Sequence, residues 1–250
     1  ILKFLPKCAW SQTSMINNPE FDQYADDYDA ALAQSLEVTG EDKDYFAKGR
    51  LSLISDFLKQ EGIKIHSVLD FGCGTGSSTP YFFQCLNIDS VLGVDVSSKS
   101  LAVARQIHGS DQVKFAEIDQ PANERFDLAF TNGVFHHIPV EMREGAVEYV
   151  YKSLRPGGLF AFWENSPWNP GTRFVMSRCP FDKDAQTLSP PSARRLLRSQ
   201  NFDVLHTFYL FIFPRVLRWL RWLERPLSKI PLGAQYLIIC RKPISKVKPE

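Results

Sequence analysis

The stretch "VLDFGCGTGSST" (residues 68–79) joins an apolar run to three alternating glycines. Gly72, Gly74 and Gly76 follow closely on the carboxylate of Asp70. Glycines at the end of a strand allow a sharp turn and let the backbone approach a ligand. In a doubly wound sheet such a turn lies at the carboxyl ends of the strands, where ligands bind. The stretch therefore predicts a ligand-binding turn after the first strand.

Short apolar runs alternate with amphipathic segments along most of the chain, which predicts βαβ units with right-handed crossovers. The predicted strands are residues 66–71, 90–96, 112–118, 126–132, 158–164, 202–213 and 235–240. The predicted helices are residues 79–87, 97–108, 140–154 and 191–200, preceded by two helical pieces between 19 and 62. The predicted fold class is α/β, a Rossmann-like, doubly wound, mostly parallel seven-stranded sheet with helices on both faces.

The chain of 250 residues is long enough for one domain with a sizeable core. We interpret residues 1–18 as an N-terminal extension, within which Met15 is a candidate natural start. Residues 19–243 then form a single domain, and residues 244–250 are a tail.

The composition excludes several classes of protein. A hydrophobic fraction of 44% and a charged fraction of 23% are typical of globular domains, and a net charge of +1 predicts no nucleic-acid partner. The five cysteines include no CxxC pair, so we predict neither a disulfide framework nor a metal site. They suit a reducing cytoplasm, and no apolar run of about 18 residues predicts a transmembrane helix.

The acid in the glycine turn distinguishes two classes of cofactor. A dinucleotide site requires G-x-G-x-x-G with the pyrophosphate at the following helix N-terminus. Here Ser77 stands in place of the third glycine, and Asp70 would repel a diphosphate. S-adenosylmethionine has an ammonium, a sulfonium and no phosphate, so it suits a carboxylate at this position.

Two further acids follow the next two predicted strands. Asp95 ends the second strand, where an acid can bind both hydroxyls of a ribose. Asp119 follows the third strand, in a position to contact an adenine amino group. Taken singly, Asp70 or Asp119 can be a capping or turn acid. Three acids at three successive strand ends indicate a site for a positively charged nucleoside.

With these features the chain resembles the class I S-adenosylmethionine-dependent methyltransferases over roughly residues 20–242. The similar segments are "VLDFGCGTGSST", "VLGVDVS", "FAEIDQ", "FDLAFTNGVFHHI" and "LRPGGLFAF". The resemblance implies a last strand that is antiparallel and lies between the two strands before it. The cofactor-binding residues that it implies are Asp70, Gly72, Cys73, Gly74, Asp95, Val96, Ile118, Asp119, Gln120 and Asn132.

The resemblance also implies a role for the N-terminal helices. Tyr24 and Tyr28 lie four residues apart, on one face of a predicted helix. In many relatives such a helix covers the cofactor, and Arg50 on the next helix can reach the cofactor carboxylate. Ordinary helix packing and surface charge explain these three residues equally well.

His136 and His137, in "GVFHHIP" after the fourth predicted strand, are the candidate catalytic residues. A base is needed only if the acceptor loses a proton as it attacks, and a histidine with a pKa near 6.5 suits that role. Adjacent histidines in a loop point in different directions, so we expect at most one to face the site. The alternative is a neighbouring residue that bonds a backbone carbonyl and shapes the pocket.

Residues 165–190 are predicted to be an insertion at the ligand edge of the sheet. The candidate substrate residues are Glu164, Trp168, Arg173 and Arg178. Because arginine forms bidentate hydrogen bonds with carboxylate and phosphate, these residues indicate an acidic group on the acceptor. The alternative is that the arginines pair with Asp182, Asp184 or Glu164 and hold the loop.

Residues 214–230 combine a basic stripe with tryptophans. The stripe consists of Arg215, Arg218, Arg221 and Arg225. Trp219 and Trp222 contribute to an extensive apolar surface, and this composition is typical of an interfacial helix. Our hypothesis is that the segment contacts an anionic membrane surface and that the acceptor is lipid-linked. The alternative is a substrate lid or a dimer contact that buries the tryptophans in protein.

The sequence therefore predicts an S-adenosylmethionine-dependent methyltransferase that acts on a small-molecule or lipid-linked acceptor, at oxygen. It predicts a cytoplasmic protein, with peripheral contact at the inner membrane face as a hypothesis. Two other functions stay open. One is a module that binds the cofactor but is catalytically silent, and the other is a nicotinamide-dependent oxidoreductase.

Overall fold

The computed structural model describes residues 36–119, 121, 123–179, 182 and 185–244. Tyr24, Tyr28 and Gln120 lie outside the described residues, as does the first of the two N-terminal helical pieces. Their predicted roles at the cofactor stay predictions.

Seven strands form one sheet in the order β3-β2-β1-β4-β5-β7-β6. The strands are β1 Ser67–Phe71, β2 Ser90–Asp95, β3 Val113–Glu117, β4 Phe126–Asn132, β5 Leu154–Asn165, β6 Asp203–Leu210 and β7 Gln235–Arg241. Strands β1 to β5 are parallel, whereas β7 runs antiparallel to both β5 and β6. The predicted fold class is confirmed, including the last strand that inserts between the two before it.

Seven α-helices and three 3₁₀ helices are found in the described part of the chain. The α-helices are α1 Lys43–Gln60, α2 Thr79–Cys85, α3 Ser98–His108, α4 Arg143–Ser153, α5 Pro170–Arg178, α6 Pro190–Ser199 and α7 Glu224–Leu227. The 3₁₀ helices are Glu37–Thr39, Val140–Met142 and Arg215–Leu223. Side-chain caps begin several helices; Ser97, for example, accepts a hydrogen bond from the Ser100 amide at the start of α3.

Helices cover both faces of the sheet, because the central strands are apolar on both sides. Leu69 and Phe71 of β1 pack in one apolar cluster with α4 and α6. The intervening side chain of Val68 packs in the opposite cluster with α1 and α2. In β5, Phe162 and Trp163 divide between the two clusters in the same way. Because β1, β2 and β4 are parallel, their carboxyl ends lie at one edge of the sheet, where the following loops meet.

The segment 214–230 differs from the single amphipathic helix that its composition predicts. It forms the 3₁₀ helix Arg215–Leu223 followed by the short helix α7, and Leu217 departs from helical geometry with φ −106° and ψ 22°. Pro226 lacks an amide hydrogen, so it cannot bond back to the preceding turn and extend one continuous α-helix. Within the described residues, no helix has the length and apolar character needed to cross a bilayer.

Candidate functional site

The glycine turn after β1 is tied to the neighbouring strand β2. The Gly72 amide donates a hydrogen bond to the Val94 carbonyl at 2.8 Å. Gly72 and Gly74 have φ of 74° and 53°, in the left-handed region that favours glycine. A Cβ on Gly72 would lie 2.4 Å from Cγ2 of Val134, whereas one on Gly74 would meet no described atom within 4 Å. Gly72 is therefore required for packing, and Gly74 leaves backbone open to a ligand.

Asp70 lies at the carboxyl end of β1 with a side chain that solvent barely reaches, at 3% exposure. Its Oδ2 atom has no hydrogen-bond partner among the described residues. Burial, aided by the negative charge of Asp95 and opposed by Arg50, raises the pKa of Asp70 to about 8. A buried carboxylate without a partner is costly, so this position favours a ligand that brings a positive charge.

Asp95, at the end of β2, connects the glycine turn to helix α3. Its Oδ2 accepts from the Gly74 amide at 2.8 Å, and its Oδ1 accepts from the Ser97 amide at 2.9 Å. Each carboxylate oxygen can accept more than one hydrogen bond, so these contacts orient the group and leave capacity for ribose hydroxyls. Asp95 therefore holds the glycine turn through backbone amides and also lies at the strand end that the sequence predicts.

The other residues of the predicted cofactor set lie along the same edge. Val96 is partly exposed after β2, and Ile118 follows β3, where its amide bonds the Asp95 carbonyl at 3.1 Å. Asp119 is exposed beside it. Cys73 differs from the set, because its side chain is buried against α3 and β3, and burial raises the pKa of its thiol well above the ordinary range. Its side chain therefore packs the turn against the core and does not face the ligand edge.

Asn132 and Arg50 border the site from the side of β4 and β7. Asn132 ends β4, and its buried Oδ1 has no hydrogen-bond partner in the described chain. Arg50, in α1, is buried and donates from Nε to Oε1 of Gln235 at 3.0 Å. Two buried acceptor oxygens without partners, on Asp70 and Asn132, together with the open backbone at Gly74, fit a cationic nucleoside cofactor.

The loop after β4 is held by a buried carboxylate. Glu164, in β5, is completely buried and accepts from His136 Nδ1 at 2.6 Å and from the Phe135 amide at 2.7 Å. His136 Nε2 lies 3.5 Å from Oδ1 of Asp182, and His137 Nε2 lies 3.4 Å from the same oxygen. The prediction that the two histidines point apart is wrong, since both rings approach Asp182.

The protonation of the histidines weakens the predicted base role. Burial opposes a charge on His136, but Glu164 and Asp182 outweigh it and raise the pKa of His136 to about 10. Burial and the positive charge of His136 lower the pKa of His137 to about 4. At neutral pH His136 is therefore a protonated imidazolium, and His137 is a neutral imidazole that binds a further proton only weakly. Neither has the pKa near 7 that suits a general base.

A cavity of about 490 Å³ adjoins the cofactor edge at Arg50, Asn132 and Gly133. Its walls come from α1, the loops after β4 and β5, helix α5 and the segment after β6. Much of the wall is apolar, and Tyr45 and Phe211 contribute aromatic rings whose centroids are 5.9 Å apart. A concave, mostly apolar space with a few polar groups is the usual form of a small-molecule site.

The predicted substrate residues do not line this cavity. Glu164 is buried behind His136, and Trp168 is 48% exposed on the loop before α5. Arg173 and Arg178 lie exposed on α5, where Arg178 stacks over the Phe174 ring at 4.3 Å. The insertion nevertheless contributes to the wall through other residues, namely Asn169, Pro170, Met176, Cys179 and Asp182.

Several wall residues are not found by sequence reasoning because they are distant in the chain. Gln235, the first residue of β7, donates from Nε2 to Oδ1 of Asn165 at 3.0 Å and also bonds Arg50. Only the insertion of β7 between β5 and β6 brings these residues together. The only sequence signal for this proximity is the strand order that the family resemblance implies.

The basic segment forms a further part of the wall. Arg221 lines the cavity, pairs with Glu41 at 2.8 Å and stacks over the Tyr45 ring at 4.5 Å. Arg215 donates to the Gly40 carbonyl at 3.1 Å, and Arg225 pairs with Asp56 of α1. Three of the four arginines of the stripe are thus bound to the protein itself.

Comparisons with known proteins agree with this geometry. Residues 69–160 match the family model described as a methyltransferase domain. The chain is 35% identical over 97 residues to a malonyl-[acyl-carrier protein] O-methyltransferase of Enterobacter lignolyticus, covering 38% of this chain and 37% of that protein. It is 28% identical over 165 residues to a trans-aconitate 2-methyltransferase of Rhizobium leguminosarum, covering 58% and 62%. The chain thus spans less than two thirds of these relatives.

Solved structures show the same fold. A TehB-like methyltransferase from Corynebacterium glutamicum superposes with a TM-score of 0.57 at 16% identity, over 90% of this chain and all of that one (100%). A methyltransferase from Mesorhizobium loti gives a TM-score of 0.52 at 21% identity, over 71% of this chain and 91% of that chain. At these identities the likeness concerns the fold alone.

Replacing Asp70 by Asn should weaken binding of S-adenosylhomocysteine about 10- to 100-fold, because the amide offers no charged acceptor to an ammonium. In the unmodified chain, binding should tighten as the pH rises toward 8, since the pKa of Asp70 is about 8 and the cation favours the ionised form. Titration calorimetry at about pH 6 and about pH 9 measures both effects.

The same carboxyl group affects stability. Between the ordinary pKa of 3.8 and about 8, folded Asp70 keeps a proton that the unfolded chain has lost. Its contribution to the free energy of unfolding therefore falls as the pH rises through this window, and Asp70→Asn should remove that dependence. Asp89→Asn, at an exposed position, is the matched control. Unchanged affinity and pH dependence in Asp70→Asn would contradict the assignment.

Substitutions of Gly72 and Gly74 should have different effects, the first on stability and the second on cofactor binding. Gly72→Ala forces a methyl group against Val134 at a positive φ, so we expect a loss of about 1–3 kcal/mol in the free energy of unfolding. A second substitution, Val134→Ala, should restore part of it. Gly74→Ala should destabilise less, since the described chain leaves space there, but should reduce cofactor affinity. Chemical denaturation and calorimetry distinguish the two, and equal behaviour of both variants would refute the distinction.

Proposed function

We propose, on the premise that this chain belongs to the class I S-adenosylmethionine-dependent methyltransferases, that it transfers the methyl group to a carboxylate oxygen of a small organic acid. The observation that carries the proposal is the cavity of about 490 Å³, whose wall includes Arg50 and Asn132, two of the predicted cofactor-binding residues. An acceptor in this cavity would therefore lie beside a cofactor that these residues bind.

The charges at the cavity wall support an acidic acceptor. Lys43, Arg50 and Arg221 line it together with two acids, Glu41 and Asp182. Arg221 and Glu41 form a pair and offset each other's charge, so the guanidinium of Arg50 is the group that suits a carboxylate through paired hydrogen bonds. The names of the relatives from Enterobacter lignolyticus and Rhizobium leguminosarum specify malonyl and aconitate acceptors, which are both carboxylic acids.

The chemistry that this arrangement must perform is mainly positioning. When bound, the cofactor would supply a methyl group on a positively charged sulfur. An ionised carboxylate would take that methyl group as the carbon–sulfur bond breaks, and it has no proton to lose first. No base is then required, so neither His136 nor His137 has to accept a proton. Holding the methyl donor and the acceptor in line can lower the activation free energy by about 7–11 kcal/mol. Asp70 orients the cationic end of the cofactor, and the apolar rings of Tyr45 and Phe211 exclude water from the acceptor.

The predicted base role of His136 or His137 enters only if the acceptor is a hydroxyl. The two acceptor types are distinguished by the product, because a methyl ester releases methanol in alkali and a methyl ether does not. A catalytically silent module would give no labelled product at all.

Incubation with methyl-labelled cofactor and a metabolite extract should therefore yield base-labile label. Arg50→Gln should lower kcat/KM for the acidic acceptor at least about 10-fold, since a charged hydrogen bond contributes about 1.5–3 kcal/mol. Arg173→Gln is the matched control, because Arg173 is exposed and lies outside the cavity wall. Base-stable label, or equal loss in both variants, would overturn the acidic acceptor.

A second candidate is a lipid-linked acid that the enzyme meets at an anionic membrane surface. Trp219 and Trp222 are 68% and 73% exposed, and Val216 beside them is exposed as well. The described residues of a single chain therefore do not bury these rings, and a substrate lid or a dimer contact is the alternative to the membrane. Because three arginines of the stripe bind the protein, the aromatic side chains must contribute most of any membrane affinity.

Pelleting with phosphatidylglycerol vesicles tests the membrane candidate. We expect the unmodified chain to sediment and the double variant Trp219→Ser, Trp222→Ser to stay largely in solution, because the apolar contact is lost. Trp168→Ser is the control, since that exposed tryptophan lies on another loop. Equal sedimentation of all three proteins would exclude a membrane role for the segment.

A further inference from the structure

We propose that His136, His137 and Asp182 form a binding site for one divalent transition-metal ion at the wall of the acceptor cavity. One ring nitrogen of each histidine and a carboxylate oxygen of Asp182 lie within 4.8 Å of one another. All three residues line the cavity. The lack of a cysteine or spaced-histidine motif predicts no metal, but here two adjacent histidines receive their third partner from a distant loop.

The two separations between a histidine nitrogen and the Asp182 oxygen match those of ligands around a common ion. The nitrogen-to-oxygen distances are 3.5 Å for His136 and 3.4 Å for His137. Direct N–H···O hydrogen bonds are usually about 2.7–3.2 Å long, so both contacts are long for that interaction. Two ligands that each lie about 2.0–2.1 Å from a tetrahedral ion are separated by about 3.3–3.4 Å. The observed geometry is close to this spacing.

The groups behind the histidines are those that a metal site requires. Glu164 binds Nδ1 of His136 at 2.6 Å, which directs the opposite nitrogen, Nε2, toward the cluster. Such carboxylate–histidine pairs orient metal ligands and raise their basicity. Glu164 also binds the Phe135 amide at 2.7 Å, so the loop that carries both histidines is fixed.

Gln186, four residues after Asp182, is tied to the loop that carries the histidines. The Gln186 amide donates to the His136 carbonyl at 2.8 Å, and the Gln186 carbonyl accepts from Arg143 Nη2 at 2.6 Å. Arg143 is buried and also donates from Nε to the Ile138 carbonyl at 2.9 Å. One guanidinium therefore connects the chain just after the histidines to the chain just after Asp182, which limits the entropy lost when an ion binds.

The donor set indicates both the class of ion and its use. Two imidazole nitrogens and one carboxylate oxygen suit zinc, iron(II) or cobalt better than magnesium or calcium. Three protein ligands facing a cavity leave at least one coordination position for water or another oxygen ligand. If the proposed function holds, that ligand is an oxygen of the acceptor, which the ion would fix beside the cofactor edge.

Metal binding can be measured without any methyl transfer. The full chain, treated with a chelator and dialysed, is titrated with Zn²⁺ by calorimetry and with Co²⁺ by visible absorption. We expect one ion per chain and ligand-field bands typical of nitrogen and oxygen ligands. His137→Asn and Asp182→Asn should each abolish these bands, and Glu164→Gln should weaken affinity about 10- to 100-fold.

His66→Asn is the matched control, because His66 and Asp89 form an exposed histidine–aspartate pair at 2.9 Å outside the cavity. This variant should bind the ion as the unmodified chain does. Binding of S-adenosylhomocysteine by each variant reports that it is folded. The site is refuted if the unmodified chain binds no Zn²⁺ or Co²⁺, or if His137→Asn and Asp182→Asn bind as it does. Failure of methyl transfer would refute the proposed function and leave this result unchanged.

Discussion

The buried carboxylate of Asp70 is the constraint from which the site follows. Strand order reverses between β1 and β4, and the Asp70 side chain lies at that crevice with an oxygen that no described group satisfies. A carboxyl whose pKa rises to about 8 on burial lowers the stability of the fold at neutral pH. A cation bound in this crevice would offset that cost, whereas a diphosphate would add to it.

The sheet topology then determines what surrounds the cofactor edge. Because β7 inserts antiparallel between β5 and β6, its first residue, Gln235, lies opposite the last residue of β5, Asn165. That pairing extends to Arg50 of α1, so residues from three distant parts of the chain share one polar network. The cavity of about 490 Å³ therefore depends on strand order, with its apolar rings supplied by α1 and the chain after β6.

The elements of the fold were predictable wherever burial imposed a simple pattern. Continuous apolar runs such as 158–164 could only be strands buried on both faces, and Asp70 and Asp95 follow from their positions at strand ends. The histidines show the limit, because their convergence depends on Asp182, whose approach leaves no local signal in the sequence. Arg173 shows another limit, since sequence placed it near the ligand edge but could not show which face of α5 meets the cavity.

The prediction of one amphipathic helix over residues 214–230 was wrong for a different reason. Its arginine spacing of three and four is helical, yet Arg215 and Arg221 bind the Gly40 carbonyl and Glu41, contacts that a local pattern cannot contain. A 3₁₀ helix places side chains three apart on one side, so it brings both arginines toward the chain before α1. The tryptophans are correspondingly left in solvent.

The two walls of the cavity are held by interactions of unequal strength. Glu164 is completely buried and bonds both the Phe135 amide and His136, and removing one partner of such a network leaves a charge without compensation. The opposite wall depends partly on the pairs of Arg221 with Glu41 and Arg225 with Asp56, which lie nearer to solvent and contribute little individually. The wall at His136 is therefore costlier to displace than the wall at Arg221.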